Sequence, residues 1–121
     1  MLRDSRYFSV REEGVVKVVT ILLPKIVEDD DIQAMGAELF VFVDDIGSDA
    51  KFVINWSRVT FMSAAFFSKI ISLQKKLGSR GGRLVFCQLH PAIYETFVIT
   101  KLNRLFDIKD HESDALLALS S

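Results

Sequence analysis

Apolar residues in the first part of the chain are spaced as in β-strands. Residues 7–12 and 15–23 are rich in β-branched and aromatic side chains, and a glycine at position 14 separates them. Two such segments around a short turn predict a β-hairpin. Pro24 follows directly, and because proline has no backbone N–H to donate, we expect it to end the second strand.

The apolar spacing changes to a helical period from about Asp30. The acidic run Glu28–Asp31 suits the start of a helix, where the helix dipole favours negative charge. Gly47 is a residue type that commonly ends a helix. The predicted buried face of this helix consists of Ile32, Met35, Gly36, Leu39, Phe40, Val43 and Ile46.

The second half of the chain alternates between continuous apolar runs and amphipathic segments. Residues 51–61 hold too few polar positions for a half-exposed strand, so we expect a central strand that is covered on both faces. An amphipathic helix follows and runs to about Leu77. Its apolar stripe comprises Phe66, Ile70, Leu73 and Leu77, and its polar side comprises Lys69, Ser72, Lys75 and Lys76.

The remaining predicted elements are shorter. Residues 83–89 predict another buried strand, and His90-Pro91 predicts the start of a helix, because proline fits the first helical turn. Residues 104–110 predict a short strand, and residues 115–119 predict a closing helix. The expected buried residues of the helix after His90 are Ile93, Tyr94 and Phe97.

These elements predict an α/β fold in a single domain that covers residues 1–121. The order is β-β-α-β-α-β-α-β-α, and alternation of strands and helices implies right-handed crossovers and a mostly parallel central sheet. The first hairpin adds an antiparallel edge. Four helices therefore pack against one sheet.

Composition narrows the setting of the chain. Its 121 residues carry a net charge of −1, so no strongly basic surface favours nucleic acid or anionic lipid. No apolar run reaches the roughly 18–20 residues needed to cross a bilayer, and the start MLRDSRYFSV has no apolar signal core, so we expect no membrane insertion and no export. The single cysteine, Cys87, excludes an internal disulfide and favours a cytoplasmic location.

Candidate catalytic residues are few. Ser63 lies at a strand-to-helix turn, but no GxSxG nucleophile motif is present, and a hydrolase would also need a base and an orienting acid. We interpret His90 and His111 as surface or capping residues. Cys87 lies within an apolar strand, which is typical of an inert core thiol. The sequence therefore predicts no enzyme activity.

Motifs for ligands are equally weak. The GSRGG segment at 78–82 follows a helix and precedes a strand, which is the reverse of the order in phosphate-binding loops. The acidic run at 28–31 lacks the spacing and the glycine of a calcium loop. A basic strip of Lys75, Lys76, Arg80 and Arg83 favours a solvated face over a nucleic-acid site. We expect no cofactor and no metal ion.

The segment FMSAAFFSKII at 61–71 joins the central strand to its helix with an unusually apolar turn. On a helical wheel Phe66 lies in the middle of the apolar stripe, whereas Phe67 and Ile71 lie at its edge. Two interpretations of Phe67 stay open. It is either buried in the core or partly exposed as a contact for a partner protein, since exposed apolar area marks partner surfaces.

The order of elements and the sequence from Val53 to Ile108 resemble the STAS domain family, which includes bacterial anti-sigma factor antagonists and the cytoplasmic tails of sulfate transporters. Three segments carry the resemblance. They are VTFM at 59–62, the glycine pair followed by RLVFCQL at 83–89, and TKLNRLFDI at 100–108, which is similar to the family's T-x-L-x-x-hydrophobic-F segment. The match covers residues 50–119 well and the N-terminal part by topology alone.

The resemblance implies a STAS-like fold and a partner-switching function. Such a domain binds the kinase that restrains a sigma factor, and binding frees the sigma factor. In the family, the kinase phosphorylates a serine at the start of the helix, within an Asp-Ser-Ser-Gly or Asp-Ser-Ala-Gly motif, and the phosphate breaks the complex. Here the motif falls on Ser63, Ala64, Ala65 and Phe66, so the acceptor position, Ala65, has no hydroxyl.

Other features of the family pattern also differ. The acidic residue that usually follows the second strand is replaced by Val27 or by a displaced aspartate of the acidic run. Ser63 has two interpretations, either a helix N-cap whose oxygen accepts an amide hydrogen or a displaced phosphate acceptor. The resemblance places the partner-binding surface on Arg58, Thr60, Met62, Ser63, Ala64, Ala65, Phe67, Ser68 and Ile71.

Three functions remain open from the sequence. The favoured one is a non-enzymatic regulator that binds a protein partner, an anti-sigma factor of the serine-kinase type, without phosphorylation at Ala65. The second is a scaffold or accessory subunit of a sensing assembly or transporter, for which a homo-oligomer would be the discriminating observation. The third is a domain that binds a small ligand or a nucleotide.

Overall fold

The computed structural model describes residues 5–120, so the first four residues of the segment used to argue against export lie outside it. The strands are β1 (Phe8–Glu13), β2 (Val16–Ile21), β3 (Lys25–Ile26), β4 (Lys51–Asn55), β5 (Phe61–Met62), β6 (Arg83–Cys87) and β7 (Asp107–Lys109). The helices are α1 (Asp29–Ile46), α2 (Ala64–Ser79), α3 (Pro91–Ile99), a 3-10 turn (Leu102–Arg104) and α4 (Glu112–Ala118).

Five strands form the main sheet in the order β1-β2-β4-β6-β7. The β1–β2 pair is antiparallel, and the other neighbouring pairs are parallel. Val53 of β4 pairs with Val18 on one side and with Val85 on the other, so β4 is the central strand. The predicted antiparallel edge, the parallel sheet and the central position of this strand are confirmed.

The two faces of the sheet are covered differently because successive residues of a strand point to opposite faces. Phe52 and Ile54 belong to the large core under α1, α2 and α3. Val53 instead belongs to a smaller cluster with Ala115 and Leu119, at and just after α4. The fold is therefore a three-layer α/β domain, in which α1, α2 and α3 cover one face of the sheet and α4 covers the other.

An aromatic cluster lies on the face that α1, α2 and α3 cover, next to the end of β4. The Trp56 ring is fully buried and meets Phe86 edge-on at a centroid distance of 5.2 Å, with Phe66 and Phe97 at 6.3 and 6.2 Å. Phe86 stacks on Phe106 at 4.7 Å. Aromatic pairs prefer such edge and offset geometries, and the predicted place of Phe66 in the middle of the buried stripe is confirmed.

The predicted strand at 51–61 is wrong in length, because β4 ends at Asn55. The Trp56 amide donates to the Cys87 carbonyl oxygen at 3.0 Å, and the Val59 amide then donates to the Trp56 carbonyl oxygen at 2.9 Å, which turns the chain. The chain resumes as β5, which pairs in parallel with β3 outside the main sheet. Two-residue strands have no periodicity, so the sequence pattern could not reveal them.

Three further expectations need correction. Tyr94 is 44% exposed rather than buried, whereas Ile93 and Phe97 are buried as expected. The strand expected at 104–110 is restricted to β7, because a 3-10 turn occupies its start. The helix expected at 115–119 begins earlier, at Glu112.

The buried face of α1 matches the predicted one except at three positions. Phe42 is buried, while Phe40 and Ile46 are only half-buried. The helix ends at Gly47 as predicted, with the Gly47 amide donating to the Val43 carbonyl oxygen at 3.3 Å.

The GSRGG segment forms the predicted turn between α2 and β6. The Gly82 amide donates to the Leu77 carbonyl oxygen at 2.8 Å, and a Cβ on Gly82 would lie 2.9 Å from the Ala50 carbonyl oxygen. A contact that close excludes a side chain. Glycine at position 82 therefore allows α2 to turn directly into the sheet.

Candidate functional site

The N-terminus of α2 is anchored to the small β3–β5 pair. The Ser63 amide donates to the Ile26 carbonyl oxygen at 2.9 Å, and the Thr60 amide donates to the Pro24 carbonyl oxygen at 2.8 Å. The Thr60 hydroxyl donates to the same Pro24 oxygen at 3.1 Å. These bonds fix the start of the helix against a second segment of chain and give the site a defined shape.

Small and apolar side chains cover the outside of this junction. Phe61 is 52% exposed and Val27 is 45% exposed, although both are large apolar residues. We call the exposed set the junction surface, and its members are Val27, Thr60, Phe61, Ala64, Ala65 and Ser68. The junction surface thus combines two large exposed apolar side chains with small and hydroxyl-bearing ones, and none of its members is charged.

Ala64 and Ala65 begin α2, and both are exposed. Ser68 lies one turn further along the same helix, and its hydroxyl donates to the Ala65 carbonyl oxygen at 2.9 Å. Ala65, onto which the resemblance aligns the family's acceptor position, therefore exposes a methyl group, and Ser68 contributes a hydroxyl from the next turn.

Ser63 is the N-cap residue of α2, but its side chain makes no capping hydrogen bond. Its hydroxyl oxygen is excluded from solvent and has no partner among the described residues. The expected position of Ser63 is confirmed, whereas the expected bond from its oxygen to a helix amide is wrong. The Ser63 hydroxyl is therefore shielded at the helix start without capping it.

Phe67 is only 8% exposed, so of its two interpretations burial in the core is confirmed and partial exposure is wrong. Its ring meets the Phe97 ring edge-on at 5.2 Å. The physical reason is that α3 covers the edge of the α2 stripe, which a helical wheel of α2 alone cannot show. Phe61, which the sequence analysis did not select, is the exposed phenylalanine at this junction.

The other residues of the predicted partner surface divide into two groups. Arg58 and Thr60 are exposed, as are Ala64, Ala65 and Ser68. Met62 and Ile71 are half-buried and pack against the core. Whether any of these residues contacts a partner stays a prediction.

Acidic side chains begin one residue beyond the junction. Ile26 pairs with Met62 in parallel register, and Val27 and Ser63 are the next residues of the two segments. Glu28 follows Val27 as the N-cap of α1, and the first turn of α1 is acidic. Val27 therefore follows β3 directly and the acidic run begins α1, and which of them occupies the family's acidic position stays a prediction.

Local contacts or burial account for Cys87, for His90 and for part of the basic strip. Burial raises the pKa of the Cys87 thiol to about 12, so the thiol stays protonated. The His90 Nδ1 atom accepts the Ala92 amide at 3.2 Å as a helix cap. Asp44 pairs with Lys76 at 2.9 Å and with Arg80 at 2.7 Å, which occupies part of the basic strip.

Two kinds of feature are absent from residues 5–120. No cluster of three or more histidine, cysteine, aspartate or glutamate side chains in this range could hold a metal ion. None of the helices in the same range combines the length and hydropathy that crossing a bilayer requires.

The fold is an α/β domain with an exposed, uncharged patch at the start of α2. A model of the STAS domain family matches residues 5–115 of the chain. The chain therefore belongs to the STAS domain family, which in its anti-sigma factor antagonists is generally non-enzymatic.

Individual relatives agree with this assignment. The chain is 25% identical over 99 residues to BtrV of Bordetella bronchiseptica, a protein assigned to the anti-sigma factor antagonists, with 82% of this chain and 84% of that protein covered. An anti-sigma-factor antagonist (STAS) domain protein from Planctomyces limnophilus has a similar fold, with a TM-score of 0.81, 18% identity and coverage of 94% of this chain and 98% of that one.

A third solved structure is an anti-sigma factor antagonist from Mycobacterium paratuberculosis. It has a TM-score of 0.76 and 22% identity, over 94% of this chain and 93% of that one. The two solved structures establish the similarity of fold, and the family match establishes that the chain is a STAS domain.

Proposed function

We propose that this domain binds an anti-sigma factor of the serine-kinase type through the junction surface, and that no phosphate is placed at Ala65. The family relationship supports the class of partner. The exposed methyl group of Ala65 in the first turn of α2 carries the second part of the proposal. A methyl group cannot form a phosphate ester, so this position does not provide the family's usual off-switch.

The junction surface has features that favour tight contact with a protein. Phe61 offers an apolar ring that is half exposed, and aromatic anchors of this kind dominate many interfaces. Ala64 and Ala65 are small, so a partner can approach the helix backbone closely. Val27 extends the apolar area on the β3 side. Charged residues are depleted at interface centres, and none of the six members is charged.

A negative charge on the junction surface would interrupt the binding of a partner. A carboxylate or phosphate placed among Phe61, Ala64 and Ala65 would have to lose its water when a partner covers it. Burial of an uncompensated charge costs several kcal/mol. The same charge is compatible with the folded monomer, because the first turn of a helix favours negative groups.

Titration calorimetry tests the proposal with the purified kinase-type anti-sigma factor of the same organism. We expect saturable binding by the wild-type chain and a loss of affinity of at least about tenfold for Ala65→Glu. Ala37→Glu is the matched control, because Ala37 is an exposed alanine in the middle of α1. Equal weakening by both variants, or no binding by a folded wild-type chain, would contradict the proposal.

A further inference from the structure

We infer that Ser68 is a phosphate-acceptor site for the partner kinase and takes the place of the hydroxyl that is missing at Ala65. This inference rests on the proposed function, since it assigns the regulation of the same surface. It starts from the hydroxyl groups of the junction. Thr60, Ser63 and Ser68 are the hydroxyl-bearing residues between Val59 and Lys69.

The three hydroxyl groups differ in their burial and in their position at the junction. The Ser63 oxygen is shielded from solvent and has no hydrogen-bond partner in the described part of the chain, so a kinase cannot reach it in this conformation. Thr60 is exposed and its hydroxyl donates to a backbone carbonyl oxygen, as the Ser68 hydroxyl does, but Thr60 lies before β5 on the β3 side of the junction and not on the helix. Ser68 is exposed on the helix itself.

The geometry of an α-helix brings the Ser68 hydroxyl to the family's acceptor position. Residues three and four apart lie on the same helix face, so Ser68 shares a face with Ala65 and Ala64. Helical side chains also lean toward the N-terminus and cover the preceding turn. The 2.9 Å bond from the Ser68 hydroxyl to the Ala65 carbonyl oxygen shows this placement directly.

The chemical step is a phosphoryl transfer from ATP, catalysed by the partner kinase. The bond between the γ-phosphorus and the oxygen that bridges it to the β-phosphorus breaks, and ADP leaves with that electron pair. A new bond forms between the γ-phosphorus and the Ser68 hydroxyl oxygen. The hydroxyl proton passes to a base of the kinase, and the hydrogen bond to Ala65 is given up.

The product would carry a charge of about −1.5 to −2 on the face that Ala64 and Ala65 expose. The partner would have to desolvate this charge in order to bind, so the complex should dissociate. A phosphate on Ser68 would therefore have the same effect as a phosphate at position 65, because both would place the charge on the same patch of surface.

Mass spectrometry locates the modification after incubation of the full chain with the kinase and ATP, and also in the chain isolated from its own cells. Trypsin cleavage after Arg58 and Lys69 gives one peptide with Thr60, Ser63 and Ser68, and fragmentation of that peptide assigns the phosphate. We expect phosphate on Ser68, its loss in Ser68→Ala and its retention in Ser72→Ala. Ser72 is an exposed serine one turn further along α2.

A binding assay gives a second readout that does not depend on catalysis. Ser68→Glu should weaken kinase binding by at least about tenfold, while Ser68→Gln and Ser72→Glu should leave it within about twofold. Ser68→Gln removes the hydroxyl without adding charge, so it separates the two effects.

The outcomes distinguish the inference from the proposed function. Binding without phosphate on Ser68, or with phosphate on Thr60 instead, overturns the inference and leaves the proposed function standing. Phosphate on Ser68 without stable binding supports the inference and contradicts the proposed function. Absence of both binding and Ser68 phosphate overturns both.

Discussion

The ring of Phe67 packs edge-on against the ring of Phe97, with centroids 5.2 Å apart and an angle of 67° between the rings. This contact joins α2 to α3 and draws the edge of the α2 stripe into the core. Phe67 is 8% exposed as a result, whereas Phe61, six residues earlier, is 52% exposed. The two phenylalanines therefore have opposite roles, Phe67 in stability and Phe61 in the junction surface.

Phe67→Ala should destabilise the domain by about 3–5 kcal/mol, because it removes a buried ring and leaves a cavity beside Phe97. Phe61→Ala should change the free energy of unfolding by less than about 1 kcal/mol, since half of the ring is already in solvent. Urea unfolding of both variants measures the difference. Similar losses from the two substitutions would contradict the assigned roles.

Phe61→Ala should instead weaken binding to the anti-sigma factor by about 1–2 kcal/mol, as expected for an aromatic contact near the centre of an interface. Val41→Ala is a suitable control, because Val41 is a similarly exposed apolar residue (49%) on α1. Calorimetry on both variants measures the loss. Wild-type affinity of Phe61→Ala would remove Phe61 from the interface.

The main sheet could be predicted because its strands are long enough to show a pattern. Val18, Val53 and Val85 lie in adjacent buried strands, and each belongs to a continuous apolar run of the sequence. The β3–β5 pair could not be predicted, because two-residue strands are defined by hydrogen bonds to a distant segment. The site depends on this pair, so its shape was not visible in the sequence.

Side-chain orientation at the junction was also beyond the sequence. The pattern placed Ser63 at the helix N-cap, and the structure confirms that position. The burial of its hydroxyl is a property of the folded surroundings, which the local sequence pattern does not contain. Burial of Phe67 likewise depends on α3. Both corrections arise where a second element covers a position that local periodicity leaves open.

Ser63→Ala should stabilise the domain or leave it unchanged, within about 1 kcal/mol. The substitution removes a buried hydroxyl that has no partner in the described part of the chain, and desolvation of such a group is unfavourable. A hydroxyl that caps the helix would give the opposite sign, a loss of about 0.5–2 kcal/mol. Thermal and urea unfolding decide between the two signs.

Ser63→Asp should destabilise the domain clearly, because the substitution places a carboxylate where the wild-type oxygen is shielded from solvent. Ser57→Asp is the matched control, since Ser57 is an exposed serine in the turn before β5. A decrease in the urea midpoint for Ser63→Asp alone is the expected result. Normal stability of Ser63→Asp would mean that the side chain can turn outward to the helix end.

Glu112 connects α4 to two strands of the main sheet. Its Oε1 atom accepts a hydrogen bond from Asn55 at 2.9 Å, and its other carboxylate oxygen pairs with Arg11. The Glu112 amide donates to the Gln88 side-chain oxygen at 3.2 Å. These contacts hold the start of a seven-residue helix that covers Cys87 and the small valine cluster.

Glu112→Ala should therefore loosen α4 by about 1–2 kcal/mol, a range discounted for the exposure of Arg11. Transient opening of α4 exposes Cys87, so the rate of thiol labelling under native conditions should rise by about tenfold for each 1.4 kcal/mol. Glu12→Ala is the control, because Glu12 pairs with Lys17 on the neighbouring hairpin. Equal labelling rates in the two variants would contradict the role of Glu112.

The raised pKa of Cys87 predicts a loss of stability at alkaline pH. Burial raises the thiol pKa to about 12 in the folded chain, with Glu112 adding to the rise, whereas the ordinary value is 9.0. The unfolded chain therefore releases this proton first. The contribution of the protonated thiol is fully present below pH 9 and is lost as the pH rises toward 12.

The slope from this one thiol approaches about 1.4 kcal/mol per pH unit between the two pKa values. Urea unfolding of the wild type and of Cys87→Ala, measured at several values from about pH 8 to pH 10.5, isolates this contribution as the difference between the two curves. The difference in the free energy of unfolding should move in favour of Cys87→Ala as the pH rises. Parallel curves would show that the folded and unfolded chains titrate Cys87 alike, and hence that α4 does not keep the thiol buried.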